Sequence, residues 1–163
     1  MESISEKEKA FMQMVRQNER LIYKVCSFYI SEEYSLQDLY QDVIINLWSG
    51  FDKFRDESSY STWIYRVAFN TCISELRKGK RKPQNVPISL WQETLVEPED
   101  MNEQIQEMYR LIHQLKTIEK AIVLLYLEEK SYQEIAEITG LTISNVATKL
   151  KRSKQKLKEM SNH

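Results

Sequence analysis

All three prolines of this chain, Pro83, Pro87 and Pro98, fall in one short stretch, and no proline interrupts the sequence on either side. Proline fixes φ and removes a backbone donor, so its confinement leaves two long segments in which helices can run unbroken. Gly50, Gly79 and Gly140 each follow a helical pattern, where a left-handed C-terminal cap is expected. Sustained period-2 alternation and hairpin turn pairs are both missing, which argues against strands. The pattern predicts an all-α fold of two small helical domains. They occupy residues 1–82 and 104–163, joined by a flexible acidic linker over 83–103.

The apolar spacing places the helices. Phe11, Met14, Val15, Leu21, Ile22, Val25 and Phe28 repeat at three, four and seven, predicting one long amphipathic first helix. Ser35 with Asp38 three residues on has capping-box spacing and opens a second helix that ends near Trp48. A polar loop from Phe51 to Ser61 leads to a third helix, from about Thr62 to Lys78. Beyond the linker, Ile105, Met108, Tyr109, Ile112 and Leu115 mark a fourth. Thr117 caps a fifth, built on the apolar run Ala121 to Leu127. Ser131 and Glu134 form a capping box for a sixth, and Thr142 caps the last, which carries Ile143, Val146, Ala147, Leu150 and Leu157.

Composition narrows the function. With 42% hydrophobic and 29% charged residues the chain can build cores and is no disordered tail. The formal net charge is -1, so any affinity for nucleic acid has to be read from local clusters. The polar N-terminus has no signal core, and the run 121–127 is too short to span a bilayer, so a cytoplasmic protein without membrane insertion is expected. Cys26 and Cys72 lack metal-ligand spacing, and only His113 and His163 could join them. They read as reduced, buried thiols, with no metal and no cofactor.

The richest segment runs from Ser131 to Lys158. A short helix with the small Ala136, a turn at Gly140 and a second helix with Val146 inside make the layout of a helix-turn-helix, with Ile135, Leu141 and Val146 in the wedge. Ser144, Asn145, Thr148 and Lys149 lie on the outward side of the second helix, and short hydrogen-bonding groups suit base edges in the major groove. Six cations follow in ten residues, Lys149, Lys151, Arg152, Lys154, Lys156 and Lys158, with no acid among them. Such a run neutralises phosphate. A solvated basic helix would account for the cations alone; combined with the turn, they point to DNA.

The segment from Ser131 to Arg152 resembles the C-terminal domain of RNA polymerase sigma factors of the extracytoplasmic-function (ECF) subfamily of the sigma-70 family. Asp38 to Trp48 is similar to the helix with which that family docks on the polymerase clamp. Phe54 to Asn70 resembles the segment that melts the −10 promoter element, and Leu76 to Lys82 continues it as a basic tail. The resemblance covers nearly the whole chain. It implies that Ser144, Asn145, Ala147, Thr148, Lys149, Lys151 and Arg152 read the −35 element. It further implies that Ser58, Ser59, Tyr60, Trp63, Asn70, Arg77 and Lys78 act at −10, and that Asp38, Gln41, Asp42 and Asn46 dock on polymerase. Core RNA polymerase (clamp and flap), promoter DNA and an anti-sigma factor are the implied partners. Two positions depart from the family: Leu115-Lys116 replaces the frequent Leu-Pro, and Ala147 stands where a basic residue is common.

The residues support these implications independently. Segment 31–57 is acidic overall, which suits protein docking better than DNA. Residues 76–82 carry five positive charges in seven, fit for a phosphate backbone. Phe54, Tyr60 and Trp63 flank Ser58 and Ser59, a set able to hold an unstacked base. From Glu93 to Glu107 there are six acids and no base. The linker over 83–103 reaches about 25 Å as a coil and roughly 70 Å extended, enough to separate two DNA contacts. No nucleophile–base pair, metal cluster or phosphate-binding glycine loop occurs, so an enzyme is not expected. Two other readings compete with an initiation factor: a stand-alone helix-turn-helix regulator and a helical adaptor for acidic proteins. A second basic segment after an aromatic loop, in a separate domain, speaks against both.

Overall fold

A computed structural model describes residues 2–54, 59–78 and 103–162, and among these the regular structure is entirely helical. The chain divides into two units, Met1–Val96 and Glu97–His163. Unit one holds α1 (Glu2–Gln17), α2 (Glu19–Ser27), α3 (Leu36–Phe51) and α4 (Tyr60–Lys78). Unit two holds α5 (Glu103–His113), α6 (Thr117–Leu127), α7 (Tyr132–Thr139) and α8 (Ile143–Ser161). Among the described residues no helix is long and apolar enough to cross a membrane.

Helices α2, α3 and α4 pack around Ile22, Val25, Cys26, Leu39, Val43, Leu47, Ile64, Ala68 and Cys72, all with no exposed surface. The long first helix expected from periodicity is two helices. At Asn18 the backbone leaves helical geometry (φ −118°, ψ 15°), and the Asn18 side-chain amide donates to the Met14 carbonyl at 2.8 Å. An asparagine that bonds its own backbone competes with the helix, so the chain breaks there although its apolar spacing continues. Helix α1 lies against α3 through Phe11, whose ring meets Trp48 and Phe51 edge-on at 5.0 and 5.3 Å.

Gly50 is not a cap. It sits inside α3, and a Cβ built there would lie 3.2 Å from Cζ2 of Trp63. Its missing side chain admits a tryptophan. Gly79 lies outside the described residues. Gly140 does have the expected left-handed backbone, at φ +80°. Another left-handed residue, Glu129 (φ 64°), follows α6 and was given away by no glycine.

In unit two, α6 is the central helix. Ala121, Ile122, Val123, Leu124 and Leu125 are all buried, which explains the unbroken apolar run. Thr117 is the first helical residue rather than its cap. The Lys116 N–H donates to the Glu119 carboxylate at 3.2 Å, so an acid in the first turn does the capping. Both Cys26 and Cys72 are free and buried, as the sequence suggested. The Cys72 thiol is pushed well up by its hydrogen bond with Cys26 and by burial.

One buried group is unsatisfied. Ser153 of α8 is fully buried, and its hydroxyl has no hydrogen-bond partner among the described residues. Stranding a hydroxyl costs about 1–3 kcal/mol. Ser153→Ala should therefore stabilise unit two by about 1 kcal/mol. Thermal unfolding of the full chain checks this, and a lowered midpoint would mean that the hydroxyl is satisfied.

Candidate nucleic-acid interface

The helix-turn-helix is built by local bonds. The Ser131 hydroxyl accepts from the Glu134 N–H at 3.1 Å while the Glu134 carboxylate accepts from the Ser131 N–H at 2.9 Å, closing the capping box of α7. The hydrogen bond from the Ser131 N–H and, after it, the one with the Ser131 side chain hold the Glu134 carboxyl below its usual range. At the other end the Gly140 N–H donates to the Ala136 carbonyl at 2.8 Å, and the left-handed glycine turns the chain. The Thr142 hydroxyl then accepts from the Asn145 N–H at 3.1 Å and starts α8. Ile135, Ile138, Val146 and Leu150 lock the two helices together, all fully or almost fully buried. Ile138, which the sequence reading left out of the wedge, is buried, while Leu141, which it placed there, is half-buried.

With Val146, Leu150 and Ser153 turned inward, the opposite side of α8 faces solvent. Ser144, Asn145, Thr148, Lys151 and Arg152 are exposed, and Ala147 and Lys149 are half-buried at its edges. The six cations divide. Lys154 places its ammonium 4.0 Å from the centre of the Tyr126 ring, and Lys156 pairs with Glu119 at 2.8 Å. Both are spent on holding α8 to α6. The assignment of Lys156 to phosphate is thereby corrected: its ammonium serves the fold. Sequence reading could not see a partner 37 residues away. Ile143, one of the apolar residues by which the sequence marks this helix, is 51% exposed.

In unit one, Phe54 stacks on Tyr60 at 4.5 Å and lies 5.1 Å from Trp63. The three rings form one cluster at the start of α4, seated on the α3 backbone at Gly50. Ser59 serves the helix end: its hydroxyl accepts from the Thr62 N–H and donates to the Thr62 hydroxyl, both at 3.1 Å. Tyr60 and Asn70 are exposed, Trp63 half-buried. Ser58 and the side chains of Arg77 and Lys78 lie outside the described residues.

On α3, Gln41 is exposed and Asp42 half-buried. Asp38 closes a capping box with Ser35, accepting from the Ser35 N–H at 3.4 Å and donating its own N–H at 3.1 Å. Asn46 donates to the buried Thr71 hydroxyl at 2.8 Å and braces α3 against α4. Ile45 (53% exposed) and Trp48 (36%) continue the row begun by Gln41, at spacings of four and seven. Their apolar character on an outer face went unremarked in the sequence because it blends with the core periodicity.

Comparison with known proteins agrees with this arrangement. Residues 14–82 match the model of sigma-70 region 2, and residues 105–157 that of sigma-70 region 4. The chain is 34% identical over 134 residues to the RNA polymerase sigma factor YlaC of Bacillus subtilis, covering 76% of this chain and 75% of that one. It is 27% identical over 162 residues to the ECF RNA polymerase sigma-E factor of Haemophilus influenzae, covering 91% and 85% respectively. The fold is similar to that of the sigma factor RpoE from Bartonella quintana, solved in complex with the anti-sigma factor NepR. That likeness has a TM-score of 0.73 at 19% identity and covers 94% of this chain and 98% of the other. Two region matches in the order region 2, region 4, each falling on one helical unit, leave one conclusion: the chain belongs to the ECF subfamily of the sigma-70 family, the promoter-specific initiation factors of RNA polymerase.

Proposed function

We propose that the two units divide promoter recognition between them. Helix α8 enters the major groove of the −35 duplex with Ser144, Asn145 and Thr148 toward base edges and Lys151 and Arg152 toward phosphate. The Phe54–Tyr60–Trp63 cluster, with Ser58, Ser59 and Asn70, holds the unstacked non-template strand at −10, backed by Arg77 and Lys78. The outer face of α3, with Gln41 and Asp42, docks on core RNA polymerase, and unit two meets its flap. The protein has no chemistry of its own. It works in the cytoplasm beside polymerase and DNA, and an anti-sigma factor holds it when it is not needed.

The observation that carries this reading is the exposed row Ser144, Asn145 and Thr148, which follows the left-handed turn at Gly140 with Lys151 and Arg152 behind it. Short polar groups gain nothing from the core there, and they sit at the end of a recognition helix that meets base edges. Run-off transcription with core polymerase tests it. Specific transcripts should appear only when the protein is added, and the protein alone should bind the promoter weakly. Tight, specific binding by the free protein as a symmetric dimer would instead make it a stand-alone regulator.

A further inference from the structure

Ile143 is the first residue of α8 and is 51% exposed, although it begins a helix whose Val146 and Leu150 are buried. It is far more exposed than the residues of the wedge between α7 and α8. Its helical neighbours are the buried Val146 and the half-buried Ala147, three and four residues on, and it shares the exposed first turn of α8 with Ser144 and Asn145. Half of this large branched apolar group is thus left in water at the start of the helix. The Thr142 cap fixes where the helix starts, so Ile143 occupies the end turn, the part of a recognition helix that reaches base edges. In the major groove the thymine C5-methyl is the apolar group on offer, and cytosine presents a bare C5 edge in its place. A β-branched side chain in a helix keeps essentially one χ1 rotamer, so little freedom is lost on contact.

We propose that Ile143 is a specificity-determining residue that reads a thymine methyl group in the −35 duplex. The proposal rests on the reading of α8 as the −35 recognition helix. Ser144 and Asn145 would then supply hydrogen bonds, and Ile143 a methyl contact that tells thymine from cytosine and from uracil.

The test uses holoenzyme and a promoter recovered from a randomised −35 library. Each −35 thymine in turn is replaced by deoxyuridine, which removes the methyl and leaves base pairing intact. At one position the substitution should weaken wild-type holoenzyme about fourfold, the share of one buried methyl group. Ile143→Ala should show a similar loss on the thymine promoter and no further loss on the uracil promoter. Placing 5-methylcytosine at that position of a cytosine variant should recover affinity for wild type and not for Ile143→Ala. Insensitivity of wild type to every thymine-to-uracil change, or the same sensitivity in Ile143→Ala, overturns the proposal. Asn145→Ala and Lys151→Ala run alongside. If they weaken −35 binding while Ile143 couples to no methyl, only the methyl contact is wrong. If neither changes −35 binding, the reading of α8 fails and takes the proposal with it.

Discussion

Glu119→Ala should lower the stability of unit two by about 3 kcal/mol, with roughly 1 from the lost cap and 2 from the broken ion pair. The carboxylate does two jobs at once. One oxygen accepts from the Lys116 N–H at the start of α6, and the other pairs with Lys156 of α8 at 2.8 Å. The Glu119 side chain is 11% exposed and that of Lys156 44%, so the pair is worth less than a fully buried one. Lys156→Ala strands the carboxylate and should cost about 2 kcal/mol. Neither variant should alter the salt dependence of DNA binding once the unit is folded. Thermal unfolding of both variants decides the matter, and midpoints within a degree of wild type would reduce the pair to a surface contact.

The same site makes stability depend on pH. Burial pushes the Glu119 carboxyl up, but its bonds to Lys156 and Lys116 and their charges outweigh this and hold it below its usual value. A group depressed in the folded state stabilises fully above its unfolded value and loses that contribution as the pH falls through the folded one. Wild type should therefore weaken on acidification in that window, and Glu119→Gln should be flatter.

Asn145→Ala should cost about 1–3 kcal/mol on the preferred −35 sequence and relax selectivity at one or two base pairs. Asn145 is exposed in the first turn of α8, where a side-chain amide can bond one base edge with two prongs. Lys151, exposed and two turns from the Thr142 cap, should behave differently. Lys151→Ala should weaken all sequences alike and reduce the salt slope by about one unit. A promoter-library selection at two salt concentrations separates the two effects. An unchanged base preference at every position for Asn145→Ala would remove this residue from the reading face.

Features fixed within four residues were legible in the sequence. The capping boxes Ser35–Asp38 and Ser131–Glu134, the Thr142 cap and the left-handed Gly140 need only neighbours, and spacing reveals neighbours. The misreadings came where a distant partner decides. Gly50 looks like a helix stop until Trp63 is set against it, and Lys156 looks like a phosphate ligand until Glu119 is brought alongside. The break at Asn18 was hidden differently, since an apolar stripe continues across two helices as readily as along one. The exposed residues of α8 were recognisable because exposure follows from the buried period of Val146 and Leu150. The apolar members of the outer faces, Ile143 and Ile45, carry no such mark, because apolar residues are counted as core by default.

The division at Asn18 also bears on what the stability of this protein means. Helix α1 is held to the rest by the buried Phe11, Met14 and Val15, by the Lys7–Asp52 pair at 2.7 Å and by the Lys7 ammonium 4.2 Å above Trp48. Beside the interlocked core of α2, α3 and α4 this is a narrow attachment, and both polar contacts use the same lysine. Opening α1 about Asn18 breaks no bond within that core. Amide hydrogen exchange should therefore show α1 opening below the global unfolding free energy of the N-terminal unit, so that a single unfolding free energy averages over two events.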